Sequence, residues 1–169
     1  MSARSASTPA LQLLTSEGVP HEVHRYHHEP GSSNFGAEAV RELTTALGCD
    51  PAAVFKTLVW MVDDRACFAV VPVAEQVSAK RLAGALNAGT ATLADQRQAE
   101  RISGSVPGAI SPLAPRKRVP VVIDTAAGEH EQIFVSAGRR GLEIALAPRD
   151  LIAATKAIVA AIVSGARER

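Results

Sequence analysis

The chain has 169 residues, 47% of them apolar and 21% charged, with a formal net charge of +1. That length and composition suit a single globular domain with a substantial core, and they exclude intrinsic disorder, which needs low hydrophobicity and high net charge. The near-neutral balance also excludes a broad basic face for nucleic acid and confines any such contact to local clusters.

From the N-terminus, Met1–Ser7 carries one Arg and no apolar stretch, so it does not read as a secretory signal. Thr8-Pro9 supplies a cap and a proline at the first helical position, and the helix they open ends at Gly18. Pro20–His28 reads as a strand, Gly31–Asn34 as a turn-rich loop, and Ala37–Leu47 as a helix stopped by Gly48. Val54–Val62 and Ala66–Val73 are apolar runs separated by Asp63-Asp64-Arg65, the composition of a buried hairpin. Ser78 caps a helix to Asn87, Thr90–Leu93 is a short strand, and Asp95 caps a helix to Ile102. Gly104–Pro115 holds too much Pro and Gly for regular structure and is long enough to be a functional loop. Val119–Asp124, Gln132–Ser136 and Leu142–Leu146 read as strands, the last two joined by a hairpin loop at residues 137–141. Pro148–Val163 reads as a closing amphipathic helix. Strand pairs of hairpin type among helices predict a mixed α/β fold, a curled and barrel-like sheet surrounded by helices, rather than a doubly wound parallel sheet. One domain is expected over residues 8–163, with loose ends at 1–7 and 164–169.

Lys56 is the most informative single residue. Period two places it on one strand face with Val54, Leu58 and Trp60, where an ammonium is costly without a partner. It either snorkels to water from the strand end or enters a pocket and meets an anionic or carbonyl ligand. The loop Gly104–Pro112 could present backbone N–H groups to an oxyanion, or be an ordinary loop. Ser111 lacks the G-x-S-x-G elbow of a nucleophile. Arg116-Lys117-Arg118 suits a phosphate backbone or a solvated surface. His21, His24, His27 and His28 split between two strand faces without a completing carboxylate set, so no metal is expected. Cys49 and Cys67 form no C-x-x-C pair, which excludes a disulfide framework and suits a reducing cytoplasm. Cys67 reads as core. No apolar run reaches a membrane span.

Five segments carry a resemblance: His24–Pro30, Asn34-Phe35-Gly36, Val54–Leu58, Gly108–Pro112 and Val135–Leu142. In this order they resemble the YbaK/ProX family of trans-acting aminoacyl-tRNA deacylases, from about Thr8 to about Val163. The resemblance implies that Lys56 is the lysine required for deacylation, beside the aminoacyl ester. It implies that Gly108 and Pro112, with Ala109, Ile110 and Ser111 between them, are the G-x-x-x-P loop shaping the amino-acid pocket. Tyr26, Thr57, Ser136 and Gly138 map to positions lining the same cavity, and Glu143 stands where close relatives carry Asp. The implied activity is hydrolysis of mischarged Cys-tRNA(Pro), or Cys-tRNA(Cys), without cofactor, metal or triad, by attack of water or of the substrate's own thiol. Ala-tRNA(Pro) is the rival substrate, and a non-catalytic tRNA-binding module is the rival class. The implied partners are the aminoacyl-tRNA acceptor end, guided by Lys80-Arg81, Arg116–Arg118 and Arg139-Arg140, and prolyl-tRNA synthetase. Neither DNA nor a membrane is among them.

Overall fold

The computed structural model describes residues 7–165, so the expected loose ends lie outside the described residues apart from Ser7, Ser164 and Gly165. Ser164 is tied down, its backbone N–H donating to Gln76 O at 2.8 Å. Helix α1 (Pro9–Ser16) begins at Thr8, whose Oγ1 accepts the Leu11 N–H at 3.3 Å, satisfying one of the helix's open donors. Strand β1 is only Glu22–Arg25, shorter than the sequence suggested. Helix α2 (Phe35–Leu47) starts at an Asn34 cap, two residues earlier than expected, and stops at Gly48.

Strands β2 (Phe55–Val62) and β3 (Arg65–Pro72) form the expected hairpin, antiparallel with Val62 opposite Arg65. Asp63 and Asp64 both take left-handed backbone angles, φ 44° and 62°, the geometry of a two-residue turn that matches strand twist. Helix α3 (Ala79–Ala85), strand β4 (Ala91–Leu93) and helix α4 (Gln96–Ser103) follow, with α4 held by a reciprocal capping box between Asp95 and Gln98. After the long loop come β5 (Val121–Asp124), β6 (Ile133–Arg139) and β7 (Leu142–Leu146).

The C-terminal segment departs from the expected helix. Helix α5 covers only Pro148–Thr155, because Lys156 turns left-handed (φ 53°) and ends it. The β-branched run that follows forms β8 (Ile158–Ala160), parallel to β5. Its side chains suit either structure locally, and pairing with the exposed edge of β5 decides for strand.

The strands form two open sheets rather than one closed barrel: β1-β7-β6, and β4-β2-β3-β5-β8. Among the described residues their backbone ladders meet at one isolated parallel bridge, Val54 to Phe134. Alternation sorts the side chains into layers. Phe68 and Val70 of β3 and Leu142, Ile144 and Leu146 of β7 face a shared central core with Leu11 and Leu14 of α1 and Leu151 of α5. On the outer face of the larger sheet, Cys67, Ala69 and Val71 pack with Leu82 of α3. Beyond the smaller sheet, Phe134 and Ala145 pack with Ala39 and Leu43 of α2. Each fully buried aliphatic side chain in these layers contributes roughly 1.5–3 kcal/mol.

Candidate functional site

The site forms at the seam between the two sheets. Strand β4 pairs with β2 only from Trp60 to Val62, which leaves the Phe55–Leu58 half of that edge without a strand partner on this side. Hydrogen bonding alternates along an antiparallel strand, and the Val59 carbonyl points to this edge, accepting the Ala94 N–H at 3.0 Å. The same alternation turns the Thr57 backbone N–H and C=O toward it. Against this open edge lie the first turns of α2, the outer face of the smaller sheet and the loop around Gly108. Together they enclose a cavity of about 290 Å³.

Lys56, Thr57, Gly108, Ile110 and Ser136 all line this cavity, brought together from β2, the loop and β6. Lys56 is half-buried and forms no ion pair among the described residues. Burial lowers its pKa from the usual lysine range, while the Glu75 carboxylate pulls it partly back. Thr57 is 8% exposed, and its Oγ1 has no hydrogen-bond partner. Successive side chains leave a strand on opposite faces, and Thr57 Oγ1 is shut off from solvent, so it is an unsatisfied polar atom beside the cavity, as Trp60 Nε1 is further along the same strand.

Three of the remaining sequence-selected residues belong to the loop's own architecture. Ala109 is fully buried and donates its N–H to Val106 O at 3.1 Å. Ser111 is buried with its Oγ accepting the Leu113 N–H at 3.2 Å, a local turn bond. Pro112 lines a different recess, with Leu13 and Ala153. Gly138 lies beside Thr8 on the far side of the loop. Tyr26 stands half-buried next to the cavity, its phenol pushed well above its ordinary range by burial and by the charges of Glu143 and Glu38.

Sequence reasoning left several lining residues unassigned. Glu143 faces Ser136 across the β6–β7 ladder, lines the cavity and is 4% exposed. Burial raises its pKa to about 8, so at neutral pH the carboxyl is mostly protonated and able to donate. Its signal was present: a carboxylate between Leu142 and Ile144 poses the same burial problem that singled out Lys56. Ser33, Asn34, Phe35, Gly36 and Ala39 supply the α2 wall.

Phe35 organises the mouth. Gly108 has φ 80°, and a Cβ added there would overlap the Phe35 ring, so only glycine brings the loop this close. The Arg140 guanidinium sits 4.3 Å from the Phe35 ring centroid and donates from Nε to Pro107 O at 2.8 Å. Behind Phe35, the His28 ring lies 5.6 Å away, and its Nδ1 meets Glu38 Oε2 at 2.8 Å. Burial alone would raise the Glu38 pKa, but the Glu29 N–H at 2.7 Å and His28 outweigh it and hold the carboxyl below its usual range. Arg140 and His28 are therefore engaged in fixing the mouth. No group of three or more metal-ligating side chains comes together among the described residues.

The arrangement suits an ester with a nearby negative charge: a cation, an open strand edge and a backbone loop, with no paired nucleophile and base among the described residues. A family model described as the aminoacyl-tRNA editing domain matches residues 36–154. The chain is 28% identical over 158 residues, 93% of each protein, to EbsC of Enterococcus faecalis, named as a candidate Cys-tRNA(Pro)/Cys-tRNA(Cys) deacylase. Two solved structures share the fold at 18% identity. The hypothetical protein APE2540 superposes with a TM-score of 0.81, covering 93% of this chain and 100% of its own. A candidate trans-editing enzyme for prolyl-tRNA synthetase superposes with a TM-score of 0.78, covering 95% and 100%.

Proposed function

The chain belongs to the aminoacyl-tRNA editing family, and from that premise we propose that it clears Cys-tRNA(Pro), with Cys-tRNA(Cys) as a second substrate, in the cavity at the seam of its sheets. It is an aminoacyl-tRNA deacylase, a hydrolase. The observation that carries the substrate reading is Lys56, a half-buried cation in no ion pair among the described residues, lining a cavity bordered by an open strand edge. An aminoacyl ester at the end of a polyanion answers that charge.

In this reading Lys56 is the catalytic residue, holding the terminal phosphate or the ester carbonyl. Ala109 commits its N–H within the loop, so the N–H groups of Gly108 and Ile110 are the ones offered to the developing oxyanion. A water oxygen attacks the carbonyl carbon, the bond from that carbon to the ribose oxygen breaks, and the ribose oxygen leaves with a proton. In the variant where the substrate thiol attacks, the amino acid leaves as a thiolactone. Thr57, Ser136 and Glu143 shape the wall with Tyr26 next to it, and Ala109, Ser111, Pro112 and Gly138 support the loop from behind. At about 30 Å³ per water the cavity holds roughly ten waters, which suits a small aminoacyl group with part of its ribose. That volume also admits alanine, which keeps Ala-tRNA(Pro) as the second reading.

No described helix is long and apolar enough to cross a membrane, and a charged-tRNA substrate is consistent with the expected cytoplasmic location. A domain of this size, 8–163, has little surface for choosing one tRNA, so prolyl-tRNA synthetase is the expected partner.

The test is hydrolysis of Cys-tRNA(Pro), Cys-tRNA(Cys) and Ala-tRNA(Pro) by purified protein, with Lys56→Ala as control. Lysine-dependent release of cysteine, faster than alanine, is expected. Release of alanine alone moves the specificity, and no cleavage above the control leaves a binding module as the better description.

A further inference from the structure

Three arginines converge on the far side of the loop that closes the cavity. Arg97 and Arg101 stand one turn apart on α4, and Arg116 returns to the same place. The Arg116 N–H donates to Ser103 O and the Lys117 N–H to Ile102 O, both at 3.2 Å, pinning that segment to the end of α4. Gly104, with φ 76°, lets the Arg116 side chain lie across it, where an added Cβ would come within 3.3 Å of Nε. Together they line an open recess of about 410 Å³ with Ser105 and Val106.

Gathering like charges one turn apart destabilises a helix unless something answers them. None of the three forms an ion pair among the described residues; Glu100, three residues after Arg97 in the same recess, offsets one of their charges and also accepts from Gln96 Nε2 at 3.0 Å, leaving a net positive lining. The macrodipole explains cations at the end of α4, where Arg101 and Arg116 lie. It does not explain Arg97, which sits in the first turn, where a positive charge is unfavourable.

We propose that this recess holds the phosphate backbone of the tRNA acceptor end while the aminoacyl ester occupies the cavity, an inference that rests on the deacylase reading above. Val106 lines the recess and Gly108 lines the cavity. Two residues of chain span at most about 7 Å, so the cavity and the recess adjoin along this loop. Arg140 holds Pro107, between those two residues, and so fixes the spacing. The basic run at 116–118 thus contributes through Arg116, joined by two arginines from α4, while Arg118 lines a separate recess.

The experiment measures binding of uncharged tRNA to the full chain by fluorescence anisotropy across a salt series. Arg97→Gln, Arg101→Gln, Arg116→Gln and the triple variant are compared with Arg149→Gln, an exposed arginine on α5. The salt slope should fall by about 0.7–0.9 for each arginine removed, and stay at the wild-type value in Arg149→Gln. The KM for charged tRNA should rise at least about tenfold in the triple variant, with cleavage of aminoacyl-adenosine, an ester without phosphates, retained. A slope unchanged in the triple variant overturns the proposal, as does absence of salt-dependent tRNA binding by the wild type. Loss of synthetase binding with tRNA binding intact also overturns it, in favour of an acidic protein surface. Because uncharged tRNA needs no hydrolysis, this result is separable from the deacylase reading. The single variants give the same slope reading if the triple one melts early by circular dichroism.

Discussion

The two ends of β2 treat their polar groups in opposite ways. At the turn, Asp63 accepts from the Gly89 N–H at 3.0 Å, the Thr90 N–H at 2.9 Å and the Thr90 hydroxyl at 3.2 Å. Those bonds, the Gly89 N–H first, hold its carboxyl below the usual range although it is exposed. At the other end, Lys56 is half-buried in no ion pair among the described residues, and Thr57 Oγ1 is buried without a partner. The Asp63 cluster is therefore complete, whereas Thr57, which carries one of the strand's two orphan side-chain atoms (Trp60 Nε1 is the other), lines the cavity with Lys56. Size is a poorer guide: the recess between α1, the Pro112–Val121 segment and α5 is larger, about 690 Å³, and none of the residues around it carries an unsatisfied buried side-chain atom.

The sharpest way to break the comparison is to exchange the two ends. Lys56→Met should cut turnover on charged tRNA by at least about 100-fold while leaving Tm unchanged or raised, because it removes a desolvated charge. Asp63→Ala should do the reverse, lowering Tm by a few degrees with turnover intact. Paired melts and single-turnover assays decide, and a Tm loss in Lys56→Met would mean that the lysine is already satisfied in the fold.

A pH-dependent test comes next. The Glu143 pKa is raised by burial from 4.5 to about 8 in the folded chain. Below 4.5 both states are protonated and nothing is lost. As pH rises from 4.5 toward 8, only the unfolded chain ionises, so this group's contribution falls by up to about 1.4 kcal/mol per pH unit and levels off above 8. Urea unfolding at pH 5, 6, 7 and 8 should show that fall, and Glu143→Gln should flatten it. An equal slope in the variant would place the titration elsewhere.

The smallest effect sharpens the comparison most finely. Thr57→Val keeps the shape and removes the orphan hydroxyl. It should leave stability within about 0.5 kcal/mol or raise it, and change kcat/KM by no more than about fivefold, the worth of one ordinary hydrogen bond. A clear stability loss would show that the hydroxyl is partnered before substrate arrives.

Much of the fold was legible because the deciding interactions are local. Thr8, Ser78 and Asp95 each cap the helix they were expected to cap, and Asp63-Asp64 makes the hairpin turn. The segment after Thr155 was misread because Ile158-Val159 suits helix or strand until the edge of β5 is available. The division into two sheets was also hidden, since it depends on where β2 loses a partner, a long-range outcome. In the site, period-two spacing exposed Lys56, whereas Glu143 and Phe35 reach the cavity from segments more than a hundred residues apart. Asn34-Phe35-Gly36 stood out as a signature, but nothing in the string says that Phe35 fills the space above Gly108.

The seam has a consequence for how such enzymes diversify. Two ladders that touch at one bridge, Val54 to Phe134, act as separate plates with the cavity in the crack between them. Its width is set by how the plates are shimmed apart in the central core as much as by the residues on its walls. Relatives with identical walls can therefore favour different amino acids through a methyl group gained or lost beneath either sheet.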